Sequence, residues 1–235
     1  MFEALLFDLD GTLLNIDMDN FLPRYFERMA LAARNQGYQG ADRLVEQIWS
    51  STEKMIANTD PDKTNEEVFF EDFYRSWPHP PEEFNIFFEK FYDDEFPQLN
   101  VFCQPFTGVQ QMMENLFKRD FKIVIATNSV FPLTAIKHRL NWAGVGHFDY
   151  DLITSYENMH YCKPQPAYYK EICDVIGVKA DNCLMIGNDT GEDLVAGHIG
   201  MKTYLVKDRL IDKGAGLQAD WQGELQQLFH FLKNI

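Results

Sequence analysis

Three four-residue apolar runs constrain this chain more than any other feature of its sequence. They are Ala4 to Phe7, Ile123-Val124-Ile125-Ala126 and Cys183-Leu184-Met185-Ile186. Each stops abruptly at small, polar or acidic residues: Asp8-Leu9-Asp10-Gly11-Thr12, then Thr127-Asn128-Ser129, then Gly187-Asn188-Asp189. Continuous apolar runs this short, bounded by turn formers, read as strands buried on both faces. A fourth is expected at Lys202 to Val206, after Gly200. Helical periodicity fills the gaps at Val109 to Lys118, Leu133 to Leu140 and Tyr168 to Ile176. The alternation predicts an α/β fold, a Rossmann-like doubly wound parallel sheet with right-handed crossovers. In such sheets ligands bind beyond the carboxyl ends of the strands. The three polar strand ends are therefore expected to share one crevice.

Residues from about 15 to 101 break this rhythm and show no strand run. Phe69, Phe70, Phe73, Tyr74, Trp77, Phe84, Phe87, Phe88, Phe91 and Tyr92 recur there, mostly at three- and four-residue spacing. That spacing reads as the core of packed helices rather than as an aromatic ligand box. Trp77-Pro78-His79-Pro80-Pro81 must interrupt any helix, because proline lacks the N–H and restricts its predecessor. An insert of this length reads as a second domain. The expected division is 1–15 and 101–235 for the α/β core and 16–100 for an inserted α-helical domain.

Composition mainly excludes. A formal net charge of -15 repels DNA and anionic membranes, so neither nucleic acid nor membrane is an expected partner. No run approaches the roughly 18 apolar residues of a membrane span, and the first residues lack the basic and apolar segments of a signal peptide. Cys103, Cys162, Cys173 and Cys183 form no CxxC pair, so buried thiols in a reduced, cytoplasmic compartment are expected. Monomer and homodimer both remain open.

Asp8 and Asp10 carry the chemistry. Two carboxylates at the end of a buried strand are costly unless something pairs with them. A Mg²⁺ ion and a phosphate ester would together account for both. Taken in order, Asp8-Leu9-Asp10-Gly11-Thr12, Thr127-Asn128, Lys163-Pro164-Gln165-Pro166 and Gly187-Asn188-Asp189 with Asp193 resemble the four motifs of the haloacid dehalogenase superfamily. The insert after the first motif resembles the helical cap of one of its subclasses. The resemblance implies a Mg²⁺-dependent phosphomonoester hydrolase of a small phosphorylated metabolite.

The same resemblance assigns roles. Asp8 would attack phosphorus and form an aspartyl-phosphate. Asp10 would protonate the leaving alkoxide and then accept a proton from water. Thr12 would orient Asp10. The Thr127 hydroxyl and the Asn128 backbone N–H would bind phosphoryl oxygens, and Lys163 would neutralise nucleophile and phosphate together. The metal ligands would be the Asp8 carboxylate, the Asp10 carbonyl and the cluster after the third strand. That cluster departs from the commoner Gly-Asp pattern, so either Asn188 or Asp189 could align with the ligand. The four-residue step from Asp189 to Asp193 favours Asp189, with Asn188 near or on the metal and Asp193 supporting a metal water or Lys163. From the insert, Met18, Asn20, Phe21 and Arg24 are candidates to touch substrate. Hinges are expected near Asn15 to Asp17 and Val101 to Pro105. A phosphomutase, a 2-haloacid dehalogenase and a non-catalytic binding protein are the alternatives. Asp10 argues against the dehalogenase, since halide leaves without a proton.

Overall fold

The computed structural model describes residues 2–235. In chain order its main elements are β1 (Ala4–Phe7), β2 (Leu14–Ile16), α1 (Met18–Asn35), α2 (Leu44–Ile56), α3 (Asn65–Ser76), α4 (Pro81–Lys90), β3 (Cys103–Pro105), α5 (Val109–Leu116), β4 (Lys122–Ile125), α6 (Leu133–Trp142), β5 (Leu152–Ile153), α7 (Pro166–Ile176), β6 (Cys183–Gly187), β7 (Lys202–Val206), β8 (Trp221–Gly223) and α8 (Leu225–Asn234). Six strands form one parallel sheet in the order β5-β4-β1-β6-β7-β8. The fold is α/β and Rossmann-like, with helices on both faces of the sheet.

Strand alternation explains the two faces. Leu5, Phe7, Ile123, Ile125, Leu184 and Ile186 point into one apolar cluster, with α5, α6 and α8. Ala4, Leu6, Val124, Ala126, Cys183 and Met185 point into the other, with Tyr168, Tyr169 and Ile172 of α7. Successive side chains alternate across a strand, so a strand covered on both faces must be apolar throughout. The four expected strands are all present, shifted at most by one residue. The edge strands β5 and β8 are two and three residues long and leave no readable pattern in the sequence. After β6 the chain forms a 3-10 stretch, Asp193–Ile199.

Between β2 and β3 the chain is helical throughout its regular elements. α1 starts on Asp17, whose carboxylate accepts the Asp19 and Asn20 N–H groups. It buries Phe21, Tyr25, Met29 and Ala33, one every four residues. α3 carries a capping box in which Thr64 and Glu67 satisfy each other's backbone N–H. It ends at Ser76, and Pro81 opens α4, so the proline run interrupts the helix as expected. The first and last residues around this helical segment are tied together. β2 and β3 pair antiparallel, with Ile16 opposite Cys103, so the two expected hinge segments lie side by side. Among the described residues no helix is long and apolar enough to cross a membrane.

Most of the aromatic run packs as core, while Phe69, Phe70, Phe88 and Tyr92 also border a cavity. Phe84 is fully buried, with the rings of Trp77, Phe87, Phe88 and Phe73 centred 4.9, 4.8, 5.0 and 5.7 Å away. Phe84→Ala removes the centre of that cluster. It is expected to cost about 3–5 kcal/mol in urea unfolding, the range for an aromatic deleted from a packed interior.

Candidate active site

Sheet order builds the site. β1 lies between β4 and β6, so the residues after these three strands emerge side by side with Asp8 in the middle. The Asp8 N–H donates to the Ile186 carbonyl at 2.8 Å, and the Ala126 N–H to the Phe7 carbonyl at 2.7 Å, which carries the pairing to the point where the polar residues begin. Asp8, Asp10, Thr127, Asn128, Asn188, Asp189 and Asp193 then border one cavity of about 550 Å³. Lys163 enters from the loop before α7.

Lys163 is buried beneath this group at 1% exposure. Its Nζ lies 3.0 Å from Asp8 Oδ1 and 2.6 Å from Asp193 Oδ1. Burial opposes the lysine's charge, but Asp193 and Asp8 outweigh it and hold the ammonium well above its usual range. Burial pushes Asp193 up to about 6, with Lys163 pulling against it. Burial likewise raises Asp8, opposed by Lys163 and assisted by the nearby Asp10. The other Asp193 oxygen accepts the Asp189 N–H at 2.9 Å, which fixes the carboxylate from two sides. Gly187 leaves room for it, since a Cβ there would overlap the Asp193 carboxylate. Asn128 positions the lysine's backbone, its Oδ1 accepting the Lys163 N–H at 3.2 Å.

Thr12 behaves differently from expectation. Its hydroxyl reaches Asp8 Oδ2 at 3.2 Å and Asn188 Oδ1 at 3.1 Å, and does not orient Asp10. The cause is the turn after β1. Gly11 has φ +86°, and the N–H groups of Thr12, Leu13 and Leu14 all turn back to the Leu9 carbonyl, which folds residue 12 beneath residue 8. A Cβ at position 11 would collide with the Asn188 side chain.

Asp10 is held by Arg139 of α6, a residue that sequence reasoning missed. The guanidinium Nη1 pairs with Asp10 Oδ2, and its central carbon sits 4.6 Å from the centre of the Phe131 ring. Arg139 is 1% exposed. Burial raises Asp10, and Arg139 opposes the rise. A signal existed: Arg139 falls in the buried stripe Ala135, Ile136, Arg139, Leu140, where a lone cation needs a partner. Lys213 was missed as well. It pairs with Asp189 Oδ2 and with Glu192 Oε1, both at 2.9 Å.

These contacts bear on the metal ligand. Asp189 Oδ1 accepts the Gly191 and Glu192 N–H groups and its Oδ2 meets Lys213, so its carboxylate is committed to the loop. Asn188 stands differently: its side-chain oxygen shares the Thr12 hydroxyl with Asp8. Thr12 has one hydroxyl hydrogen for two oxygens, so either Asp8 Oδ2 or Asn188 Oδ1 is always left without it. A carboxylate and an amide oxygen that share one hydroxyl are hard oxygen donors, the kind that Mg²⁺ takes while keeping several waters. Among the described residues no three His, Cys, Asp or Glu side chains converge on a point.

Of the four insert candidates, only Met18 borders the cavity. Asn20 turns back to Asp17, Phe21 packs against Phe96 and Trp142, and Arg24 lies over the Phe102 ring. The face of α1 toward the cavity is Met18, Asp19, Leu22, Tyr25 and Phe26.

A haloacid dehalogenase-like hydrolase family model matches residues 2–198. The chain belongs to that family. A pyrophosphatase, PpaX of Halalkalibacterium halodurans, is 25% identical over 207 residues, covering 87% of this chain and 83% of its own. Two solved structures share the fold. The HAD-hydrolase YfnB from Bacillus subtilis, bound to magnesium, superposes with a TM-score of 0.58 at 19% identity over 100% of this chain and 99% of its own. The L-2-haloacid dehalogenase from Xanthobacter autotrophicus superposes with a TM-score of 0.57 at 16% identity over 100% of both chains.

Lys163→Met tests the buried network. It leaves Asp8 and Asp193 without their cation and is expected to cost about 3–5 kcal/mol in urea unfolding. An acid whose folded-state pKa is raised loses stability as pH rises through that pKa. Removing the lysine raises both acids further, so in metal-free buffer the deficit should be larger at pH 8 than at pH 5.

Proposed function

We propose that this hydrolase is a Mg²⁺-dependent phosphatase acting on a small phosphomonoester through an aspartyl-phosphate. One observation carries the reading: a buried lysine touches one oxygen of Asp8 while a second carboxylate, Asp10, borders the same cavity. Phosphoryl transfer to a carboxylate needs a nucleophile, a cation beside it and a proton shuttle, and these three groups supply them.

Asp8 attacks phosphorus in line with the leaving oxygen. Lys163 offsets negative charge on the nucleophile and on the phosphoryl oxygens, and Asp193 keeps it in place. The Thr127 hydroxyl and Asn128 N–H contact the transferring group. Asp10 delivers a proton to the departing alkoxide, then takes one from the water that hydrolyses the acyl phosphate. Burial favours a protonated Asp10, and Arg139 favours an ionised one, so the pair suits a group that must do both. Asp8, Asn188 and the Asp10 carbonyl would hold Mg²⁺, which when bound offsets charge between the nucleophile and the phosphoryl oxygens. That YfnB is bound to magnesium and PpaX is a pyrophosphatase supports this reading. The helices over the cavity act as a cap that excludes water, hinged where β2 and β3 lie together.

Asp10 also separates this reading from dehalogenation, since a fold match to a dehalogenase says nothing about which group leaves. Two tests follow. Phosphate release should require Mg²⁺ and stop with EDTA. Asp8→Asn should lower turnover at least about a thousandfold while the unfolding midpoint falls by no more than a few degrees. Full activity in that variant would end the proposal.

A further inference from the structure

The cavity has two unlike halves. Its floor is the charged sheet end already described. Its roof comes from α1, α2, α3 and α4 and is built of Leu22, Phe26, Trp49, Ile56, Phe70 and Phe88 among its members. Among the described residues, the only charged side chain that α1 to α4 contribute to that wall is Asp19. Among the described residues the cations lining the cavity are Arg139 and Lys213, and both are engaged with carboxylates. The hydroxyls of Tyr25 and Tyr92, which also face it, bond to each other at 2.7 Å.

Such a roof discriminates by chemistry. A second phosphoryl group or a carboxylate on the leaving group would lie against an apolar roof to which, among the described residues, α1 to α4 contribute no cation. A sugar would lose hydration from several hydroxyls and, away from the strand ends and the paired tyrosines, meet Asp19, Thr52 and Tyr156 in a lining that is otherwise mostly apolar. A ring would gain. Trp49 leaves 45% of its surface in water while bordering the same cavity as Asp8, and its ring lies 5.2 Å from that of Phe26, tilted by 41°. A flat apolar group seated there would cover both rings and recover that exposed area. At about 30 Å³ per water, 550 Å³ is roughly eighteen waters, more room than a lone phosphate group needs.

We propose that the substrate class is phosphomonoesters of apolar, ring-bearing alcohols, with the ring held between Trp49, Phe26 and Phe70 and the phosphate on Asp8. This rests on the phosphatase reading and names the alcohol that leaves.

The test compares kcat/KM for phosphate release, with Mg²⁺, from benzyl phosphate, glycerol 3-phosphate, glucose 6-phosphate, phosphoglycolate and inorganic pyrophosphate. Benzyl alcohol and glycerol are both aliphatic alcohols, so their ratio reads the pocket more than the leaving group's acidity. Benzyl phosphate is expected to lead the other four by about tenfold or more. Trp49→Ala, a change at a half-exposed position, should shrink that lead chiefly by raising KM for the benzyl ester. A lead for pyrophosphate, phosphoglycolate or either polar ester overturns the proposal and leaves the phosphatase reading intact. A benzyl lead unmoved by Trp49→Ala overturns the assignment of the ring to this wall. No Mg²⁺-dependent release from any of the five overturns both readings.

Discussion

The ion group Asp193–Lys163–Asp8 is the constraint around which the rest of this molecule is arranged. A lysine at 1% exposure is tolerable only with carboxylates on it, and carboxylates at the end of a buried strand are tolerable only with a cation. Neither sign can be removed alone. Asp8 comes from β1, Lys163 from the loop before α7, and Asp193 from the stretch after β6. Three distant segments are therefore locked at one point. Such a network adds less stability than its Coulomb attraction suggests, because desolvation takes most of it back. What it does supply is position: an ammonium held beside one oxygen of Asp8, leaving the other oxygen toward Thr12 and Asn188.

A parallel sheet makes that economy possible. The strands β4, β1 and β6 lie next to one another although more than fifty residues separate each from the next in sequence. Their interiors are apolar on both faces, so polar residues accumulate only where the strands end. The carboxyl ends share one edge, and everything placed there becomes neighbours. The helical segment adds the opposite wall. Its outgoing and returning strands, β2 and β3, pair within a few residues of Asp10, so the connection between the two halves lies close to Asp8.

Much of this was legible because the strand-end pattern is local. Asp8, Thr127, Asn188 and the four central strands can be read from short runs of residues. The parts that could not be read depend on contacts that no local pattern encodes. Arg139 meets Asp10 across 129 positions, and only its odd place in the apolar stripe of α6 hints at it. Thr12 turns to Asp8 rather than Asp10 because Gly11 reverses the chain, a matter of one dihedral angle. Of the α1 candidates, Met18 borders the cavity while Asn20, Phe21 and Arg24 do not, since a helix that is apolar on more than one side does not reveal which side meets a ligand. Edge strands of two and three residues carry too few side chains to show a period.

The arginine on Asp10 has a consequence for how one fold serves several reactions. A dehalogenase and a magnesium-bound hydrolase superpose on this chain about equally well, so the backbone does not decide the chemistry. The groups at the strand end do. A carboxyl that must give and then take a proton works best when neither form is strongly preferred. Burial alone would keep Asp10 protonated and unable to act as a base. A full set of cationic donors would leave it ionised and unable to act as an acid. Arg139 sits between these limits: one guanidinium nitrogen reaches Asp10 Oδ2, while among the described residues Asp10 Oδ1 and the guanidinium Nε and Nη2 have no partner. The pair is thus incompletely satisfied, so its partners do not lock Asp10 as a carboxylate.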